Sequence, residues 1–193
     1  MANVQHSALT DPNLHEPKGV STASAGKVYV ANGAGSGNWN YITGHSFGEL
    51  YIEGGTTTFS LPAASGLAKL NPTGEWTVNG NKNIVLSASN GTITTTQAGE
   101  YALNFWAVFE TASITHDAAY NFHYNINGVS STRKMYVRKH TNNVETLNVS
   151  AYGFVSLPAN AVVSMYIGGD TTSSATNITM REASLSVLLI DAS

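Results

Sequence analysis

The side chains best suited to metal or proton chemistry in this 193-residue chain are six histidines: His6, His15, His45, His116, His123 and His140. They are scattered. Only His116 and Asp117, with His123 seven residues on, form a loose cluster, and a lone His-Asp pair in a loop reads more simply as a solvated turn than as a ligand pair. If several copies met on a three-fold axis, one histidine from each could form a trigonal site of the kind zinc accepts. The run 33–37 (GAGSG) has the glycine content of a phosphate cradle, but it lies between two strand-like stretches with no helix to supply an N-terminal dipole, so it is read as a turn. Gly26 and Lys27 lack the glycine spacing and the following Ser or Thr of a nucleotide-binding loop. There is no Gly-x-Ser-x-Gly elbow, no His-Glu-x-x-His helix and no recognisable carboxylate pair. No catalytic residue, metal site or cofactor is assigned, and the chain is expected not to be an enzyme.

Composition favours a protein that hides surface in an assembly. Hydrophobic residues make up 42% of the chain, but charged ones only 11%, against roughly 25% in an ordinary soluble domain. A net charge of −3 lacks the basic surplus of a nucleic-acid binder. The absence of cysteine excludes disulfides and thiolate metal sites, and fits synthesis in a reducing cytoplasm. No signal-peptide pattern opens the chain and no apolar run reaches the length of a membrane span, so a soluble protein with no membrane partner is expected.

The elements that must position any site are strands. Residues 1–26 are polar, are broken by Pro12, Pro17 and Gly19, and hold few large apolar residues, which predicts an extended arm that orders only on a partner. Residues 27–47 predict a hairpin and connector: Val28 and Val30 alternate with polar neighbours, and a glycine-rich turn leads into Trp39 and Tyr41. Two strands alone are marginal, so this hairpin is expected to pack on the main domain or on copies of itself. From residue 48 to 193 short strands follow one another, with Asn-Gly turn signals at Asn79-Gly80, Asn90-Gly91 and Asn127-Gly128, and another in the hairpin at Asn32-Gly33. Predicted strands cover 50–59, 75–78, 83–87, 91–96, 101–110, 120–126, 133–140, 144–157, 161–167 and 177–190, the last long enough to be two strands or one bent strand. The only stretch with any helical pattern, 63–70, is about two turns long, too short to be read as a helix.

Several strands are apolar on both faces. Tyr101, Leu103, Phe105, Ala107 and Phe109 share one face, while Trp106 and Val108 stand on the other between polar ends. In the run 149–157 (VSAYGFVSL), Tyr152 and Phe154 stand among serines opposite the core positions. Aromatic rings on an otherwise polar second face suit subunit contacts, so Trp106, Tyr152 and Phe154 are predicted to lie between chains; packing under a long loop of the same chain is the alternative. Arg133, Lys134, Arg138, Lys139 and His140 make one strand the most basic. They are read as charge protecting an exposed edge strand, with contact to an acidic protein or glycan surface as the alternative.

The order of Gly99 and Tyr101, an Asn-Gly hairpin, then 149–157 (VSAYGFVSL), 162–167 (VVSMYI) and 185–190 (LSVLLI) resembles the jelly-roll head of tumour necrosis factors and complement globular heads. Over about residues 50–191 that resemblance implies an all-β, two-sheet jelly-roll sandwich that assembles as a homotrimer about a three-fold axis. A second resemblance lies in residues 8–20 (ALTDPNLHEPKGV) and 26–39 (GKVYVANGAGSGNW), which are similar to the opening of tailed-bacteriophage virion proteins of the head-decoration, cement or fibre kind. It implies a structural decoration (cement) protein on the capsid surface of the virion, made in the bacterial cytoplasm. Its partner would be the major capsid protein, docked through the arm with Leu9, Pro12, Leu14, His15 and Pro17 in grooves between capsid subunits. The other function kept open is a fibre or adhesin tip that binds a host-surface glycan or protein.

Overall fold

The computed structural model describes residues 27–31, 37–41, 46–62, 66–72, 74–112, 118–139, 143–169 and 177–192. The arm residues Leu9, Pro12, Leu14, His15 and Pro17, the turn at Asn32-Gly33, and the pair His116 and Asp117 lie outside them.

The chain divides into two compact units, 1–43 and 44–193. In the first, β1 (Lys27–Ala31) and β2 (Gly37–Tyr41) pair antiparallel. Tyr29 stands opposite Trp39, with ring centroids 5.3 Å apart and edge to face, a cross-strand aromatic pair that helps to hold the hairpin in register.

The second unit is all strand among the described residues, and forms a two-sheet jelly-roll sandwich. Its elements are β3 (Phe47–Glu53), β4 (Thr58–Ser60), β5 (Leu67–Lys69), β6 (Thr77–Lys82), β7 (Ile84–Ser87), β8 (Thr92–Thr95), β9 (Gly99–Thr111), β10 (Ala118–Ile126), β11 (Val129–Ser130), β12 (Met135–Lys139), β13 (Glu145–Leu157), β14 (Val162–Gly169) and β15 (Asn177–Ala192). One sheet runs β13-β9-β15-β3-β6, with β4 beside β15; the other runs β11-β10-β14-β8-β7, with β12 beside β10 and β5 beside β14. All pairings are antiparallel.

The core is the predicted face of β9 closed against the second sheet. Tyr101, Leu103, Phe105, Ala107 and Phe109 are all buried. Phe105 and Phe109 lie 5.7 and 5.4 Å from Phe122, and Phe109 meets Tyr120 edge to face at 5.3 Å. Val163, Met165 and Ile167 of β14 complete that side, while Leu50, Leu185 and Val187 extend the core along the first sheet.

Two local expectations need correction. The predicted strand 50–59 is two, β3 and β4, because Gly54 takes a positive φ of 63° and turns the chain out of line. Asn79-Gly80 is a bulge inside β6: Gly48 pairs with Asn81 and Leu50 with Val78, so two residues stand opposite Glu49 alone. The chain crosses from the first sheet to the second a few residues later, at Asn83, whose φ is 52°. The stretch 63–70, too short to be read as a helix, holds strand β5 where it is described, with Leu67, Ala68 and Lys69 paired to the backbone of β14. Asn127-Gly128 does form the expected tight turn, with φ of 52° and 86° at its two central residues. β15 is one strand with two bulges, at Met180/Glu182 and Leu189/Asp191.

Candidate functional site: the outer face of the six-stranded sheet

Strand register assembles a surface that no single segment contains. Phe154 of β13 pairs with Ala102 of β9, Ala102 with Leu188 of β15, and Leu188 with Phe47 of β3. Since paired residues point to the same side, these four form an apolar row across the sheet, pointing away from the core. Phe154 is 62% exposed, and Phe47, Leu188 and nearby Ile190 are exposed as well. One step along the sheet, Tyr152, 64% exposed, stands edge to face against Phe154 at 5.2 Å.

One step further, Ser150, Trp106, Ser184 and Tyr51 make another row. Trp106 and Tyr51 line an open hollow of about 470 Å³ with Glu49, Glu53, Glu182 and Asn79. Glu53 and Glu182 are directly opposite in the β3–β15 ladder. The Glu49 carboxylate is held by neutral donors: Ser184 Oγ donates to Oε1 at 2.5 Å and Asn79 Nδ2 to Oε2 at 2.7 Å. The second of these bonds is a product of the β6 bulge, which carries Asn79 opposite Glu49.

At the edge of the sandwich a smaller cavity of about 340 Å³ opens between β13 and the β10–β12 region, lined by Tyr124, Ile126, Met135, Tyr152 and Phe154, with Arg133 and Lys134 at its mouth. Tyr124 donates from its hydroxyl to the Ala151 carbonyl at 3.3 Å, and burial pushes its hydroxyl well above the ordinary tyrosine pKa. β12 bonds to β10 on one side only among the described residues, and so is an edge strand. Tyr136 on it is 62% exposed, with Lys134 Nζ 5.6 Å from its ring centroid.

The predicted contact residues Trp106, Tyr152 and Phe154 therefore share one exposed face. Tyr152 and Phe154 touch, while Trp106 lies apart in the acidic hollow. Phe47, Tyr51 and Leu188 escaped the sequence reading because only the β13-β9-β15-β3 register brings them alongside. Of the histidines only His123 is described: it is buried, with Nδ1 2.9 Å from the Ser131 carbonyl oxygen. Among the described residues no three His, Cys, Asp or Glu side chains are placed to hold a metal.

No protein-family model matches the chain, and no curated protein matches its sequence. Solved structures do match its fold. The tumour necrosis factor Eiger from S. frugiperda superposes with a TM-score of 0.52 at 7% identity, covering 77% of this chain and 95% of that one. The globular domain of zebrafish complement 1qA gives 0.51 at 10% identity, covering 77% and 99%. The second unit thus has the jelly-roll fold of tumour necrosis factor and complement 1q heads.

Proposed function

We propose that this chain is a non-enzymatic structural head that assembles as a homotrimer through the outer face of its six-stranded sheet, and that it decorates a tailed-bacteriophage capsid through its N-terminal arm. The observation that carries the assembly is the apolar row Phe154-Ala102-Leu188-Phe47 with Tyr152 against it. Large exposed apolar patches on a soluble domain mark interaction sites, and here the patch spans four strands of a rigid sheet. The low charge content of the whole chain supports the same reading. Support for the virion role comes from the resemblance of residues 8–20 and 26–39 to the openings of phage head-decoration proteins.

Light scattering on the purified chain is expected to give three times 20.3 kDa. A chain beginning at residue 27 is expected to remain trimeric but fail to bind particles stripped of the native protein. Equal binding with and without residues 1–26 would place the docking surface on the jelly roll.

One observation favours a second role, a glycan- or receptor-binding tip: the open hollow pairs two aromatic rings, Trp106 and Tyr51, with carboxylate and amide acceptors. Sugar rings stack on such aromatics while their hydroxyls meet the polar rim. Saturable binding to a glycan array, lost in Trp106→Ala without loss of assembly, distinguishes it.

A further inference from the structure

Acidic residues predominate on one sheet, where Lys82 and Arg181 are the basic ones, and the densest basic run lies on the other. Glu49, Glu53, Glu100, Glu110, Glu145, Glu182 and Asp191, seven of the twelve carboxylates, stand on the strands that carry the apolar row. Four of the nine basic residues, Arg133, Lys134, Arg138 and Lys139, fall within seven positions at and just before β12, on the other sheet. Within the acidic set, Glu53 and Glu182 face each other across paired strands, an arrangement that weakens a sheet unless a positive group comes between them. Their own chain supplies none among the described residues, where the one ion pair is Arg181 with Glu110.

We infer that the positive group is the β12 ridge of a second copy, seated in the acidic hollow. The ridge has the right form: an edge strand, paired on one side only among the described residues, presenting Arg133, Lys134 and the exposed ring of Tyr136. The hollow has the complement, a Trp106 and Tyr51 floor walled by Glu49, Glu53 and Glu182. The aromatic side chains supply desolvated area, and the opposed charges fix orientation and register. Because ridge and hollow are different surfaces of one chain, the contact is head-to-tail. Each copy gives its ridge to the next and receives one from the last, so the assembly either closes into a ring or grows into a filament. This rests on the self-association proposed above and adds which strand docks where. On this account the basic edge is a plug for the neighbouring subunit as well as a guard against stray sheet pairing.

The test uses the full chain in native mass spectrometry and sedimentation over a range of concentration and salt. The double reversal Glu53→Lys with Glu182→Lys, and separately Arg133→Glu with Lys134→Glu, should each raise the dissociation constant of the assembly about a hundredfold. All four substitutions in one chain restore the opposed charges and should recover most of that loss. The milder pair Glu53→Gln with Glu182→Gln should weaken assembly less, and thermal melts check that each variant is folded. Reversal variants that assemble as tightly as the parent overturn the inference while leaving self-association through the apolar row standing. A parent chain that stays monomeric overturns both. Calcium binding by the parent, lost in Glu53→Gln with Glu182→Gln while assembly is unchanged, assigns the hollow to a cation and overturns the ridge.

Discussion

The two faces of the six-stranded sheet are made by the same strands, yet they solve different problems. The inner face holds Tyr101, Leu103, Phe105, Ala107 and Phe109, all shut against rings from β10 and aliphatic side chains from β14. The outer face holds Ala102, Asn104, Trp106 and Val108 from β9, flanked by Phe154, Leu188 and Phe47, and the described chain leaves its large rings open to water. Apolar content alone does not separate a core from an interface; the difference is whether the same chain provides the cover. An inner residue should answer to folding and an outer one to association.

The largest effect is expected on the inner face. Phe109→Ala removes a fully buried ring that touches both Tyr120 and Phe122, and should cost about 3–5 kcal/mol of folding stability. Urea denaturation measures it. A loss below about 1 kcal/mol would mean that the two sheets are not packed through this ring.

Next comes the outer face. Phe154→Asp places a carboxylate in the apolar row and should abolish assembly, raising the association free energy by about 2 kcal/mol or more. The melting behaviour of the separated chain should barely move, since the side chain is exposed there. Trp106→Ala should follow the same pattern more weakly. If instead Phe154→Asp unfolds the chain and leaves any survivors fully assembled, the outer face belongs to the fold rather than to the assembly.

These contrasts also show what local sequence can reveal. Period-two alternation identified the inner face of β9 and the exposed positions of Trp106, Tyr152 and Phe154, because side-chain direction within one strand is a local property. It could not join Phe154 to Leu188 and Phe47, since strand order and register are set by contacts distant in sequence. Turn chemistry was legible where the backbone needs it, at Asn127-Gly128. It misled at Asn79-Gly80, where the same dipeptide serves a bulge and the left-handed residue is Asn83 instead. The basic cluster at 133–139 was visible from the start. Its complement was not, because Glu53 and Glu182 lie far apart along the chain and meet only across the β3–β15 ladder.

A third, smaller effect is expected at the tight turn between β10 and β11. Gly128 has a φ of 86°, where a Cβ is strained, although nothing lies within 4 Å to clash with it. Gly128→Ala should therefore cost about 1 kcal/mol through backbone conformation alone, with assembly unchanged, as read by denaturation and by native mass spectrometry.

The smallest effect concerns the one ion pair described on the acidic face. The first bulge in β15 lies between Met180 and Glu182 and carries Arg181. From there Arg181 Nη1 donates to the Gly55 carbonyl at 2.9 Å and Nη2 donates to Glu110 Oε2 at 2.6 Å. That hydrogen bond, and then the nearby positive charge, hold the Glu110 carboxyl below the usual carboxylate pKa. A carboxyl whose folded pKa lies below its unfolded value contributes stability that is complete above the unfolded value and disappears as pH falls through the folded one. The parent should therefore exceed Glu110→Gln in stability at neutral pH, with the gap closing through the acid range below the ordinary carboxylate pKa. Both partners are partly exposed, so the gap is small and shrinks further with added salt. The same titration sharpens the comparison of faces, because Glu110 stands on the outer side of β9, directly beside the buried Phe109. A small, salt-sensitive loss at Glu110 next to a large, salt-insensitive one at Phe109 is what a sheet closed by its own chain on one side only must give. Equal losses at the two positions would show that the outer face is covered by its own chain as well.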